Sequence, residues 1–149
     1  MMYQSILVPL DRSERAEAIL PHVEELARRF ESSIIFMGVV EPELILATGE
    51  SPYSRFDETA MRRLLDDMKH YLDSLVLEFR AKGITAKVDF SQGIVVEKII
   101  EVAEKEDVDL IAMASHGRTG LPRVFYGSVA AGVLHRVDRP LLLIRSLSE

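Results

Sequence analysis

Residues 108–144 read VDLIAMASHGRTGLPRVFYGSVAAGVLHRVDRPLLLI, and this stretch decides the fold class. Val108 to Ala114 is a short, nearly continuous apolar run. Pro140 to Ile144 is a second one. Strands whose side chains are covered on one face alternate apolar with polar residues, whereas unbroken apolar runs of this length mark strands buried on both faces. Between the two runs lie the glycine-bearing segment SHGRTGLPRVFYGS and a short helical pattern ending near Arg136. Strand, loop, helix and strand in that order form a crossover unit, which places the two strands parallel.

Working outward, the same alternation repeats. Residues 3–9 (YQSILVP) form a first apolar run, and the polar turn Asp11-Arg12-Ser13-Glu14 opens a helical pattern over about 14–30. In it Ala16, Ile19, Leu20, Val23, Leu26, Ala27 and Phe30 recur at spacings of three and four, so one stripe packs on a sheet. A second strand is predicted at Ile34–Val40 and ends at Glu41-Pro42, because proline disfavours helix at the residue before it. Residues 41–56, with Pro42, Gly49 and Pro52, lack a clean period and read as an irregular insertion over the carboxyl edge of the sheet, the kind of long loop that often serves as a lid. A long amphipathic helix follows over 57–81, with Met61, Leu64, Leu65, Met68, Leu72, Leu75, Val76 and Phe79 as its core stripe, stopped by Gly83. Strand Ala86–Phe90 and helix Val95–Glu106 lead back to Val108. Five apolar strands alternating with four helices give an α/β fold, a doubly wound parallel sheet with helices on both faces.

Composition narrows the function. The chain has 149 residues, enough for one domain, with 48% hydrophobic and 28% charged residues, which suits a packed globule. A formal charge of −6 opposes the extended basic surface that nucleic-acid binding requires. Cysteine is absent, which removes disulfides, thiol catalysis and Cys-ligated zinc, and the histidines at 22, 70, 116 and 135 form no close metal-binding pair. No apolar run approaches the ~20 residues of a membrane span and no secretory leader opens the sequence, so the expected location is the cytoplasm and no membrane partner is expected.

Phosphate-binding glycine patterns are the remaining signal. There is no GxxxxGK[ST] and no GxGxxG after the first strand. What stands instead is Ala114-Ser115-His116-Gly117, nine residues from Arg118 to Tyr126, and then Gly127-Ser128 opening a helix. Free N–H groups and the dipole at a helix start hold an anion, glycine lets the backbone approach it, and Ser128 adds a hydroxyl.

These residues resemble the C-terminal half of a universal stress protein. In the ATP-binding branch of that family the loop reads G-x2-G-x9-G-[ST]; Gly117, Gly127 and Ser128 match, and Ala114 stands at the first glycine. The opening ILVPLDRSERA also resembles the family's first strand and turn, so the likeness spans nearly the whole chain and is weakest over 41–82. The resemblance implies strand order 3-2-1-4-5, which brings the ends of strands one and four to the point where winding reverses, the place where open α/β sheets take ligands. It further implies that Pro9 and Asp11 line the adenosine end, with Asp11 bonding ribose or base, that Val39 and Met113 lie near adenine, and that Gly117, Gly127, Ser128 and Val129 hold the phosphates. The Ala114 departure matters if its backbone needs φ > 0, where alanine costs about 1 kcal/mol.

Each residue also has a plainer reading. Asp11 or Ser13 suits a helix cap, Arg118 and Arg123 suit a solvated loop as well as a phosphate contact, and His116 lacks the partners of a catalytic base. The expected function is adenine-nucleotide binding, ATP or AMP, with Mg2+ carried on the phosphates, in a nucleotide-dependent stress or signalling module. Any ATPase activity would be slow, since no base is evident. The alternative is a non-hydrolysing interaction module that binds AMP or no nucleotide. A third reading, an enzyme of the wider adenine-nucleotide α-hydrolase-like group, normally adds a substrate domain for which there is little room. The protein partner is not legible. The final strand lies at a sheet edge in the implied order and is apolar throughout, which fits the homodimer that the resemblance implies.

Overall fold

The computed structural model describes residues 2–42, 58–116 and 127–146. The elements are β1 (Ser5–Pro9), a 3-10 turn (Ala16–Ile19), α1 (Leu20–Phe30), β2 (Ser33–Val40), α2 (Glu58–Ala81), β3 (Ala86–Gln92), α3 (Val95–Lys105), β4 (Leu110–His116), α4 (Ser128–Arg136) and β5 (Leu141–Ser146). The strands form one parallel sheet in the order β3-β2-β1-β4-β5, as expected. Most of the 41–56 insertion and the loop carrying Gly117, Arg118, Gly120 and Arg123 lie outside the described residues.

Strand alternation divides the core into two layers. Ile6, Val8, Ile34, Phe36 and Ala112 point to one face, where Ile19, Val23, Leu72 and Phe79 cover them. Leu7, Ile35, Met37, Ile111 and Met113 point to the other, under Ile99, Val102 and Val133. The methionine and phenylalanine positions of the α2 stripe, Met61, Met68 and Phe79, are buried core as read from their spacing. Phe36 and Phe79 meet edge to face with centroids 4.9 Å apart, a geometry favoured by the ring quadrupoles.

Several boundaries differ from the sequence reading. The helix expected over 14–30 begins as the 3-10 turn, and the α-helix starts only at Leu20. Pro21 occupies the first helical positions and has no N–H to bond four residues back, while the Leu20 N–H reaches Glu17 O in the tighter 3-10 manner. Strand β1 begins at Ser5 rather than Tyr3, whose φ of 57° breaks the extended run. Strand β4 begins at Leu110, after Asp107 at φ 48°, and runs on to His116. Its partner β5 follows it to Ser146, so exposed Arg145, in register with Ser115, lies inside the edge strand expected to carry no charge.

Two contacts fix the parts that flank the carboxyl end of the sheet. A Cβ built on Gly132 of α4 would stand 2.8 Å from Val96 Cγ2 and 3.2 Å from Val96 Cγ1. Only a residue without a side chain lets α4 lie this close to α3. On the other face the Tyr71 hydroxyl of α2 donates to Glu17 Oε2 of the 3-10 turn. Burial, and after it the Glu17 carboxylate, holds the Tyr71 hydroxyl well above the ordinary tyrosine range.

Alanine at an exposed helix-interior glycine stabilises by about 1 kcal/mol, whereas overpacking costs about 1–3 kcal/mol. Gly132→Ala is therefore expected to destabilise by roughly 1 kcal/mol in urea unfolding, and Val96→Ala is expected to reverse the sign of its effect in the double variant; a stabilising Gly132→Ala alone would contradict the close approach. The Tyr71 shift makes a second test. Because its folded pKa is raised, its contribution is complete below the unfolded value of about 10 and is lost as pH climbs above that. Unfolding free energy should fall more steeply between about pH 9 and 11 in the parent than in Tyr71→Phe, and parallel curves would show that the Tyr71 hydroxyl is not held above its ordinary range.

Candidate functional site

The carboxyl ends of β1, β2 and β4 open into a cavity of about 230 Å3. From β1 come Pro9, Leu10 and Asp11; the Leu10 N–H donates to Met37 O at 2.8 Å, carrying the β1–β2 ladder one residue beyond the strand. From β2 come Met37, Val39 and Glu41, and from β4 Met113 and Ala114. Helix α3 contributes Val95 and Ile99, and α4 contributes Ser128, Val129 and Ala130 behind its cap Gly127. The walls are apolar, and polar groups gather at a few points of the rim.

Every site residue expected from the sequence and lying within the described residues borders this cavity: Pro9, Asp11, Val39, Met113, Ala114, Gly127, Ser128 and Val129. Gly117 lies outside the described residues. The reading passed over Met37, Glu41, Val95 and Ile99. Met37 and Glu41 could have been found by continuing the period of two from Val39 in both directions, since the residue before Pro42 stays extended. Val95 and Ile99 required knowing which way α3 points.

Gly127 has φ 76° and ψ 153°, a region essentially restricted to glycine. Its conformation turns the chain into α4, and among the described residues no side chain caps the helix start. The first N–H groups of a helix have no acceptor within the helix, so Ser128, Val129 and Ala130 present donors and the positive end of a dipole to the cavity. Ala114, at the first glycine position of the motif, is an ordinary extended residue of β4 in register with Ile144. Its backbone is not in the left-handed region, so the methyl group carries no conformational cost there.

Asp11 serves the turn as well as the rim. Its Oδ1 accepts from the Ser13 N–H at 3.0 Å and from Ser13 Oγ at 2.5 Å, and Ser13 Oγ in turn accepts the Ala16 N–H at 3.1 Å. The cap position of the 3-10 turn is Arg15, which makes no side-chain cap bond; Ser13 holds the first N–H of the turn from two residues further back, and Asp11 orients it. Arg12 between them sits at φ 72°, uncommon outside glycine. At the opposite rim Glu41 Oε1 accepts the Val95 N–H at 3.2 Å, so a carboxylate occupies the N-terminus of α3. Among the described residues no group of three or more His, Asp or Glu side chains could hold a metal ion, and no helix is long and apolar enough to cross a membrane.

Comparison with known proteins identifies the family. The universal stress protein family model matches residues 2–145. Universal stress protein MJ0577 of Methanocaldococcus jannaschii is 29% identical over 156 aligned residues, covering 97% of this chain and 96% of that protein. The solved structure of MJ0577 has a TM-score of 0.85 at 30% identity and covers 100% of both chains. A universal stress protein solved in complex with cAMP covers 98% of this chain and 99% of its own, with TM-score 0.64 at 17% identity. The Archaeoglobus fulgidus protein solved in complex with dAMP covers 97% of this chain and 99% of its own, with TM-score 0.60 at 20% identity. With the strand order, the cavity at its reversal point and a family match over almost its full length, this chain belongs to the universal stress protein family.

Proposed function

We propose that this protein binds an adenine nucleotide, ATP or AMP, in the cavity at the carboxyl ends of β1, β2 and β4, and acts as a nucleotide-dependent stress or signalling module. The observation that carries the reading is the start of α4 behind Gly127, which faces an apolar cavity and has no side-chain cap among the described residues. An anion at the free N–H groups of Ser128 and Val129, joined to a flat ring between Val39 and Met113, satisfies both ends at once. The cavity of about 230 Å3 is small beside the ~300–1,000 Å3 of drug-sized pockets, which suits one ring system and its sugar with the phosphates at the mouth. Asp11, at the β1 end, offers a carboxylate to the ribose hydroxyls or the base. Pro9 and Ala114 supply wall, and Gly117 joins the phosphate contacts. Mg2+ travels with the phosphates, neutralising them rather than occupying a protein-built cage. The cAMP and dAMP complexes of family members with this fold support the ligand class.

The same proposal includes a homodimer through β5. This strand stands at the sheet edge beside β4, with Leu141, Leu142, Leu143 and Ile144 only half-buried and Leu134 of α4 exposed. An uncovered apolar edge invites pairing, and a twofold partner closes it.

Calorimetry should show ATP and AMP binding in the micromolar range. Gly127→Val should weaken it at least tenfold while the circular dichroism spectrum stays native, because a β-branched residue cannot hold φ 76°. Absence of heat with millimolar ATP, ADP and AMP would end the nucleotide reading. For assembly, light scattering at micromolar concentration should give twice 16.8 kDa, falling on Leu142→Lys; a clean 16.8 kDa parent would refute the pairing.

A further inference from the structure

Two helices, α3 and α4, aim their N-termini at the same cavity, and they differ in one respect. Neither cap residue, Ile94 nor Gly127, caps its helix with a side chain, and among the described residues no side chain from elsewhere accepts the first N–H groups of α4. The start of α3 already holds an anion of the protein's own, because Glu41 Oε1 accepts the Val95 N–H at 3.2 Å while Glu41 lines the cavity. Glu41 directly follows the last residue of β2, and Met37 and Val39 of that strand line the same cavity. The hydrogen bond leaves the carboxylate's net charge in place.

We infer that Glu41 is a positioning residue that fixes the direction in which the ligand lies. The inference rests on the nucleotide reading. A dipole end that carries a carboxylate repels phosphate, and one without a cap attracts it. The cavity is therefore electrically one-way: phosphates are confined to Ser128–Ala130, and the ring end, with its N–H and O–H donors, lies toward Val39, Glu41 and Val95. Without Glu41 the cavity would offer two comparable anion sites at its two sides, and a polyphosphate could enter either way round.

Amide nitrogen–proton NMR on the full chain tests this with tripolyphosphate, ATP and adenosine as probes. In the parent, tripolyphosphate and ATP should shift the amides of Ser128, Val129 and Ala130 and leave Val95 and Val96 in place. In Glu41→Ala, tripolyphosphate should shift Val95 and Val96 as well. Glu41→Gln keeps an oxygen for the Val95 N–H and loses only charge, so it should fold as the parent does. It should tighten ATP relative to adenosine by about two- to fivefold, the usual worth of one charge at a helix end. A role in capping alone would leave that ratio unmoved. An unchanged ratio in Glu41→Gln, or undisturbed Val95 and Val96 amides in Glu41→Ala, overturns the inference while nucleotide binding stands. No ATP-induced shift at Ser128–Ala130 in the parent overturns the nucleotide reading and the inference together.

Discussion

The placement of β1 between β2 and β4 is the constraint on which the rest depends. Ile6, Leu7 and Val8 are completely buried, so apolar side chains must stand on both faces of this strand and its backbone must be paired on both edges. The pairings with β2 and β4 supply the second condition. At the amino end the register is pinned by Asp109, whose Oδ2 accepts the N–H groups of Gln4 at 2.7 Å and Ser5 at 3.0 Å, while its own N–H donates to Ser5 O at 2.9 Å. At the carboxyl end the ladder to β2 runs on through Leu10, and there the crossovers part to opposite faces. The cavity is what remains where no helix can cover both sides of that divide.

Most of the architecture was legible because both faces of the sheet are covered. Runs such as SIIFMGVV and DLIAMA have no polar alternation to confuse with a half-exposed strand, and the α2 stripe repeats from Met61 to Phe79, about five turns of helix. The strand order was not legible from periodicity, which says which residues are strands but not which are neighbours; it came from the family likeness. Boundaries slipped where one side chain overrode the pattern. Pro21 forced a 3-10 turn ahead of α1, and Asp11 and Ser13 took up the turn's N–H groups. At the site, the glycine and serine that open α4 were legible through residue type alone. Glu41 gave no such announcement, since its meaning comes from meeting the first N–H of a helix more than fifty positions later.

Two glycines of α4 illustrate how one residue type answers different demands. Gly127 is needed for a backbone conformation that a Cβ forbids, and Gly132 for the space that a Cβ would take from Val96. The first frees the N–H groups of α4, and the second sets how near those groups come to α3. Electrostatic character and width of the cavity are thus set by positions five residues apart, one capping α4 and one inside it.

The pairing of β1 with β4 also sets a timetable. Gln4 and Asp109, which lock the two strands together, are 105 positions apart in the chain. At ribosomal rates of about 5–20 residues per second, the nascent β1 waits roughly five to twenty seconds for its second neighbour. In that interval β2, β3, α1 and α2 can gather on one side of it and form much of one core layer, which still lacks Leu110 and Ala112 of β4, leaving open the other edge of a strand fully buried at Ile6, Leu7 and Val8. A growing chain with such an edge is open to mispairing, so the strand that organises the finished molecule is also a point of exposure while it is being made.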